Sequence, residues 1–303
     1  MWLIHFYRQV EVSLVSLVAS RCTEINADLH CHSRQSDGVF TPEELAMRAK
    51  SNGVDLWALT DHDDVSGIAS ARNAAKQHDL TFVSGVEISV TFAAQTVHVV
   101  GLGIDETHPV LLAGLEQLCR ERDARALLIA DKLAEAGFDG TYEGALAHVQ
   151  NPALVSRTHF ARHLYETGHV SSMQDAFDRY LGDQGRAYVP TQWATLEEAV
   201  HWIVQSGGVA VIAHPGRYKY SDLQFDALFK QFLAFGGQGI EVHTGSHRPD
   251  EYDYYAQVAR DYGFMASIGS DFHGPTESRH DLGSIRPLPR DLTPVWQALG
   301  VAH

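Results

Sequence analysis

Residues 27–63, ADLHCHSRQSDGVFTPEELAMRAKSNGVDLWALTDHD, contain a complete strand–helix unit and the start of the next. The short apolar segment 27–30 is followed by TPEE at 41–44, which combines an N-cap hydroxyl, proline at the first helical position and glutamate at the third. The predicted helix ends near Asn-Gly at 52–53, because glycine readily adopts the left-handed conformation that ends helices. The apolar run 54–60 then predicts the next strand.

The same alternation recurs along the chain. Seven runs rich in Val, Ile and Leu are typical of strands buried on both faces. A second capping box, Thr195 with Glu198, begins a helix that stops at 207–208. Strand and helix alternate over 27–103 and again after 195, which predicts an α/β fold with a mostly parallel sheet, open or closed into a barrel. The seven runs are 27–30, 54–60, 80–86, 97–103, 209–213, 239–243 and 264–269.

Residues 108–188 interrupt this alternation. They lack strand patterns, and their apolar residues recur at mostly helical spacing, so we expect an inserted helical subdomain between the barrel segments 27–107 and 189–303. The insertion follows the fourth strand, and chemistry in parallel α/β folds gathers at the carboxyl ends of strands. We therefore expect it to lie over the site as a substrate cap. The spacing is set by Leu111, Leu115, Leu118, Ile129 and Leu133.

Composition limits the classes of function. The chain has 303 residues and a formal net charge of -15, which argues against broad binding to duplex DNA because that mode needs many Lys and Arg. Its three cysteines, Cys22, Cys31 and Cys119, have no CxxC spacing, so a reducing cytoplasm fits best. Residues 1–26 are interpreted as a dispensable extension, with a secretory signal as the alternative. No run is long enough to span a bilayer, so no membrane association is expected.

Histidines and carboxylates cluster at predicted strand ends. In DLHCH at 28–32, residues two apart face the same way, so His30 and His32 can both point at one ion, with Asp37 close behind. A pair of surface histidines is the alternative for this motif alone. Asp-His sequences then follow two other buried runs, as TDHD at 60–63 and SDFH at 270–273. Their repetition in equivalent places favours a metal site.

Three more residues complete the predicted set. Glu87 emerges from the apolar run VSGV, and an acid there needs a compensating charge such as a metal ion. His98 lies in an alternating run, and His214 ends the run 209–213. Either histidine alone would more often be a hydrogen-bonded core residue. Together with the other strand-end residues they predict one metal-binding constellation.

Six motifs in order, DLHCHS, LTDHD, GVEIS, HVVG, AHPG and GSDFH, resemble the polymerase and histidinol phosphatase (PHP) family. The resemblance implies a distorted seven-stranded α/β barrel with three divalent metal ions. The insertion is similar to that of bacterial nucleoside 3',5'-bisphosphate phosphatases, a subgroup that overlaps with 5'-3' exoribonucleases, and SRTHFA at 156–161 matches its arginine and histidine motif. The implied metal ligands are His30, His32, Asp37, His62, Glu87, His98, His214, Asp271 and His273.

The resemblance also implies a reaction. Imidazole and carboxylate ligands without thiolates suit Mn, Fe or Zn, and the family favours Mn. Such ions would lower the pKa of bound water toward roughly 7 and supply hydroxide as the nucleophile on phosphorus. Glu87 is the expected bridging carboxylate, and Asp61 is expected to orient an imidazole. A second phosphate is expected to be bound by side chains of the insertion, because a guanidinium group can donate two hydrogen bonds to phosphate oxygens. The candidates are Arg122, Arg125, Arg157 and His159.

The expected function is thus a phosphomonoesterase acting on small nucleotides, namely nucleoside 3',5'-bisphosphates and 5'-monophosphates. Trimming of short 5'-phosphorylated RNA is the main alternative. Histidinol phosphate is a less favoured substrate because of the insertion. A non-catalytic metal-binding module is the alternative from another class, and the complete ligand set argues against it. Asp63 and His243 lie near the expected site, but the sequence assigns neither a role.

Overall fold

The computed structural model describes residues 25–301, so most of the predicted extension 1–26 lies outside the described residues. This part of the chain contains seven strands, which form one sheet in chain order, and nine α-helices, some of which pack around the sheet while the others belong to the insertion. The strands are β1 (Ala27–Asp28), β2 (Leu56–Leu59), β3 (Thr81–Phe92), β4 (Gln95–Leu102), β5 (Val209–Ile212), β6 (Gly239–Thr244) and β7 (Met265–Gly269). The helices are α1 (Pro42–Ser51), α2 (Ile68–Gln77), α3 (Pro109–Glu135), α4 (Thr141–Leu146), α5 (Arg157–Glu166), α6 (Met173–Ala176), α7 (Leu196–Gln205), α8 (Asp222–Ala234) and α9 (Pro249–Tyr262).

The first and last strands meet, which closes the sheet. The amide of Leu29 donates to the carbonyl of Ile268 at 3.0 Å, and Cys31 pairs in parallel with Phe272. This approach requires glycine at 269, because a Cβ there would lie 2.3 Å from the Cβ of His30. The prediction of a distorted seven-stranded barrel is therefore confirmed, and of the open and closed sheets the structure is the closed one.

The distortion comes from β4, which is antiparallel to both β3 and β5. No helix separates β3 from β4, so the expected alternation is wrong at this point. The two strands form a hairpin in which Phe92 pairs with Gln95, and the linking residues Ala93 and Ala94 both have positive φ, 45° and 63°. Tight hairpin turns of this kind are usually marked by Asn-Gly or Asp-Gly, and the sequence carries no such signal here.

The reversal of β4 also changes where the insertion begins. We expected the insertion to start at the rim where strand carboxyl ends gather, but β4 ends at the opposite rim. Helix α3 nevertheless extends from the barrel to the insertion, because its 27 residues span about 40 Å. Its first turns, with Leu111 and Leu115, pack in the core that covers the barrel, whereas Ile129 and Leu133 pack in the separate core of the insertion.

Strand pleating directs the functional side chains inward. In β3, Val83 packs in the barrel interior while Val86 and Ile88 pack outside against helices, so Glu87 points inward. In β4 the same alternation directs His98 inward, on the side of Val100. Because β4 runs in the opposite direction, His98 near its start lies at the same rim as the carboxyl ends of the parallel strands. Among residues 25–301, no helix has the length and apolarity needed to cross a membrane.

Candidate metal centre

The structure brings all nine predicted ligands together at one rim of the barrel. They fall into four overlapping groups, in each of which the available ligand atoms lie within 4.8 Å of one another. Shared members show that these groups describe one continuous cluster, and within residues 25–301 the groups contain no further residue. The groups are His32, Asp37, His62 and His273; His30, His32 and Asp271; His30, Glu87 and His214; and His62, Glu87 and His98.

Glu87 lies at the centre of this cluster. It is fully buried, and both of its carboxylate oxygens face imidazole nitrogens. Burial alone would raise the pKa of Glu87, but the surrounding histidines overcome burial and hold that pKa well below its usual value. The carboxylate is therefore ionised and available to more than one cation. Its oxygens lie 2.8 Å from His62 Nδ1, 2.9 Å from His98 Nδ1, 3.0 Å from His214 Nε2, 3.3 Å from His30 Nε2 and 3.4 Å from His32 Nε2.

Several buried atoms of the cluster lack a hydrogen-bond partner within the described part of the chain. His62 Nδ1, for example, approaches Glu87 Oε2 without the alignment of a hydrogen bond. An unsatisfied buried polar group typically costs about 1–3 kcal/mol, so such a concentration indicates a binding site. Imidazole nitrogens and carboxylate oxygens are ligands of divalent transition metals, and the set therefore fits such ions. The atoms are His32 Nδ1, Asp37 Oδ1, His62 Nδ1, Glu87 Oε2, His98 Nδ1 and His214 Nδ1.

The protonation of the cluster is uneven. Burial and the neighbouring His273 and His62 lower the pKa of His32 to about 3. Its imidazole is therefore neutral and can coordinate a cation through an unprotonated ring nitrogen. Burial would also lower the pKa of His273, but Asp37 and Asp271 outweigh it and raise that pKa to about 9. A cation that binds beside His273 must therefore displace a proton, which makes binding dependent on pH.

Backbone strain is concentrated at the same rim. His214 has a φ of 28° and Asp271 a φ of 53°, and Asp63, next to His62, has a φ of 50°. Residues other than glycine rarely adopt positive φ, and each such position costs on the order of 1–3 kcal/mol. The surrounding fold holds two predicted ligands in strained conformations, a pattern typical of functional sites.

Glu241 supports the cluster, and the sequence analysis missed it. It lies in β6 with 1% of its surface exposed. Its Oε1 lies 2.8 Å from His30 Nδ1, and its Oε2 accepts a hydrogen bond of 2.6 Å from the amide of His214. This contact leaves His30 Nε2 directed at the cluster. The signal was available, because Glu241, like Glu87, is an acid within an otherwise apolar buried run.

No imidazole of residues 25–301 forms a hydrogen bond or ion pair with Asp61, so the role expected of this residue is wrong. Its carboxylate accepts hydrogen bonds of 2.6–2.7 Å from the amide and hydroxyl of Ser33 and from the hydroxyl of Ser36. These bonds fix the loop that carries Asp37. Asp61 therefore positions a predicted ligand through the backbone of this loop rather than through a histidine ring.

Asp63 and Arg122 form a buried ion pair between the barrel and the insertion. Arg122 Nε donates to Asp63 Oδ2 at 2.6 Å, and another guanidinium nitrogen donates to the hydroxyl of Ser89 at 2.8 Å. Asp63 Oδ1 accepts from the amide of Ser89 at 2.7 Å, and the guanidinium lies over the ring of Trp193. Arg122 is thus buried, and two of its guanidinium nitrogens already donate hydrogen bonds within the protein.

The other predicted phosphate contacts have different surroundings. The buried ring of His159 accepts a hydrogen bond of 2.9 Å from the amide of Ser156, as part of the cap of α5. Arg125 donates to the carbonyl of Val189 at 3.3 Å. Burial and the nearby Arg157 lower the pKa of Arg125 to about 9. Of the four candidates, only Arg157 lines the open cleft described next.

A cleft of about 1890 Å³ separates the barrel rim from the insertion. His273 lines it from the cluster, and Arg157 lines it from α5. The other cations of the cleft include Arg217 and Lys219, neither of which was predicted, although Arg217 directly follows the motif AHPG. Arg217 also forms an ion pair of 3.1 Å with Asp271 Oδ2. The lining of the cleft contains six Arg or Lys and four Asp or Glu residues, so a cleft of net positive charge opens beside the candidate metal centre.

Comparison with known proteins agrees with the resemblance. Residues 28–245 match the family model of the PHP domain. The chain is 47% identical over 274 residues to a 3',5'-nucleoside bisphosphate phosphatase from Chromobacterium violaceum, a match that covers 90% of this chain and 96% of the relative. It is 43% identical over 272 residues to a 5'-3' exoribonuclease from Escherichia coli, with 89% of this chain and 92% of the relative covered.

Solved structures show the same architecture. An amidohydrolase from Chromobacterium violaceum, with bound sulfate and no metal, superposes with a TM-score of 0.88 at 47% identity over 91% of this chain and 96% of that chain. A protein from Bifidobacterium adolescentis assigned as a metal-dependent phosphoesterase superposes with a TM-score of 0.77 at 26% identity, over 90% and 94%. The six-motif resemblance is thereby confirmed, and this chain is a member of the PHP family.

Proposed function

We propose that this protein is a metal-dependent phosphomonoesterase that hydrolyses nucleoside 3',5'-bisphosphates and nucleoside 5'-monophosphates. The observation that carries the proposal is the convergence of nine imidazole and carboxylate side chains at the edge of a cationic cleft. The bisphosphate phosphatase from Chromobacterium violaceum, 47% identical over nearly its whole length, supports the choice of substrate. Cys31 and Cys119 form no disulfide with each other, which suits the proposed cytoplasmic location.

The nine side chains are proposed to hold three divalent ions, with Mn favoured over Fe or Zn. When bound, such ions supply Lewis acidity to phosphoryl oxygens and lower the pKa of water. The chain itself orients the ligands. Glu241 fixes the ring of His30, Asp61 fixes the loop of Asp37, and the ionised Glu87 lies within reach of several histidines. Glu87 is therefore the proposed bridging carboxylate.

Arginines are proposed to bind the phosphates of the substrate. Arg217 lies beside Asp271 at the cluster, where it can contact the phosphate that is cleaved. Arg157 reaches the cleft from the insertion, where its guanidinium contacts a backbone carbonyl at 3.2 Å, the exposed Asp183 at 3.6 Å and the ring of Phe177. Its guanidinium is thus free to exchange these partners for a second phosphate. In this arrangement the barrel, 27–107 and 189–303, carries the chemistry, and the insertion, 108–188, acts as the substrate cap.

Trimming of short 5'-phosphorylated RNA is a second candidate, favoured by the size of the cleft. Its volume of about 1890 Å³ exceeds the roughly 300–1,000 Å³ of ordinary small-molecule pockets. Arg34 and Arg279 add cationic side chains to its lining. The 43% identical exoribonuclease from Escherichia coli supports this activity for the same site.

A substrate panel tests both functions. Purified protein supplied with Mn²⁺ is incubated with a nucleoside 3',5'-bisphosphate, a nucleoside 5'-monophosphate, a 5'-phosphorylated trinucleotide and histidinol phosphate, and released phosphate and nucleotides are measured. We expect phosphate from the first two substrates. Stepwise release of nucleotides from the trinucleotide would identify the exoribonuclease. Turnover of none of the four would contradict an enzymatic role and favour a non-catalytic metal-binding module.

A further inference from the structure

The two carboxylate oxygens of Asp37 have different surroundings. Oδ1 faces the cluster, 3.3 Å from His273 Nε2, and has no hydrogen-bond partner within residues 25–301. Oδ2 faces the insertion and accepts hydrogen bonds from the hydroxyls of Thr158 at 3.0 Å and Ser156 at 3.3 Å. The backbone carbonyl of Asp37 accepts a further hydrogen bond from Arg162. A predicted ligand of the barrel is therefore oriented by three residues of the insertion.

All three contacts come from α5. Ser156 is its N-cap, and Thr158 lies in its first turn, so the carboxylate of Asp37 sits near the positive end of the helix. Arg162, one turn further, forms a two-point ion pair with Glu277, with both distances 2.7 Å. Glu277 belongs to the loop that follows His273. Helix α5 thus fixes the loops of two members of the same ligand group.

Within residues 25–301, the side chains of His30, Glu87 and His214 form no hydrogen bond with the insertion. These three residues lie on or directly after barrel strands, with at most 2% of each residue exposed. The residue that orients two of them, Glu241, is also on a barrel strand. The cluster therefore contains one group of predicted ligands supported by the barrel alone and another group supported also by the insertion.

We propose that Ser156, Thr158 and Arg162 are positioning residues that set the metal affinity of the group containing Asp37, independently of the group containing His30. The inference rests on the proposed function, because it requires the cluster to bind divalent ions. Without the Thr158 hydroxyl, Oδ2 loses its shorter hydrogen bond and the carboxylate can rotate away from His273. Loss of such a supporting contact typically weakens metal binding about 10–100-fold.

Thr158→Val is the most direct test, because it removes the hydroxyl and keeps the shape of the side chain. Thr167→Val is the matched control, since this exposed threonine ends the same helix and its hydroxyl donates to the carbonyl of His163. Thr158→Ser retains the donor and serves as the rescue variant. Metal-free protein is titrated with Mn²⁺, and free Mn²⁺ is measured by electron paramagnetic resonance. Far-ultraviolet circular dichroism checks folding.

The expected result is that Thr158→Val weakens one Mn²⁺ position about tenfold or more and leaves the others within about twofold. Thr158→Ser and Thr167→Val should match the wild type. Unchanged binding in a folded Thr158→Val, or equal weakening at every position, would overturn the inference and leave the proposed function intact. A wild-type protein that binds none of Mn²⁺, Fe²⁺ and Zn²⁺ would overturn the proposed function and the inference together.

Discussion

The two sides of the candidate metal centre are built in different ways. The barrel side, defined as His30, Glu87 and His214, is held by strands and by a carboxylate on a neighbouring strand. The insertion side, defined as His32, Asp37, His62 and His273, relies on loops, and α5 fixes two of those loops. His62 and His273 are also more exposed, at 13% and 18% of their side chains. This difference shows that contacts within the barrel hold one side of the cluster, whereas contacts with α5 hold loops of the other side.

The strongest perturbation removes the residue that joins the two sides. Glu87→Gln keeps the shape of the side chain but removes the charge that faces His30 on one side and His62 on the other. We expect phosphatase activity to fall roughly a thousandfold, because charge stabilisation at the reacting centre is the largest catalytic contribution. Steady-state kinetics with a nucleoside 5'-monophosphate measures this loss. Glu197→Gln, on the exposed face of α7, is the control, and equal activities of the two variants would contradict the role of Glu87.

The buried ion pair of Asp63 and Arg122 is one of the links between the barrel and the insertion. Arg122→Met leaves the buried carboxylate of Asp63 without its cation, so the free energy of unfolding should fall by about 3–5 kcal/mol. Urea denaturation monitored by tryptophan fluorescence measures the change. Adding Asp63→Asn should recover part of the loss. Arg120→Met is the control, because Arg120 lies on the same helix in an exposed ion pair. If Arg122→Met lowers the free energy of unfolding no more than Arg120→Met does, the buried ion pair does not stabilise the protein as expected.

The barrel side is tested by Glu241→Gln. The amide cannot accept hydrogen bonds at both ends, so either His30 or the amide of His214 loses its partner. We expect Mn²⁺ affinity to fall about 10–100-fold at the barrel position and to remain unchanged at the insertion position. Competition with a metal indicator dye measures the affinities. Weakening of the same position as in Thr158→Val would show that the two sides are not separate.

The smallest expected effect concerns the cleft. Arg157→Ala should raise the KM for a nucleoside 3',5'-bisphosphate about tenfold, since a hydrogen bond to a charged group contributes about 1.5–3 kcal/mol. The KM for the 5'-monophosphate should change much less. Arg179→Ala, an exposed arginine of the same insertion, provides the comparison. Equal changes for both substrates would remove Arg157 from recognition of the second phosphate.

The sequence predicted the barrel side well for a physical reason. Strand residues alternate in direction, so an acid or histidine inside an apolar run must point into the barrel, as Glu87 and His98 do. Glu241 obeys the same rule and could have been found by it. The β3–β4 hairpin could not, because its turn is formed by Ala93 and Ala94, which carry no turn signal. Because the hairpin was not predicted, the antiparallel direction of β4 was not predicted either.

The insertion side was harder to predict, because its contacts join segments that are far apart in the chain. Asp37 and Thr158 are 121 residues apart, and Arg122 lies 59 residues from Asp63. A pattern of residue types shows that Arg122 is cationic, but it does not show whether its partner is a phosphate or a buried carboxylate. Arg217 and Asp271, which form an ion pair, are likewise 54 residues apart.

Anomalous X-ray diffraction from crystals of the Mn²⁺-loaded protein tests the central claim most directly. Data collected at the manganese absorption edge should show peaks among the nine side chains, about 2.0–2.6 Å from imidazole nitrogens and carboxylate oxygens. Peaks should occur both beside Glu87 and beside Asp37. An anomalous map with no peak between these side chains, from crystals grown in saturating Mn²⁺, would contradict the account.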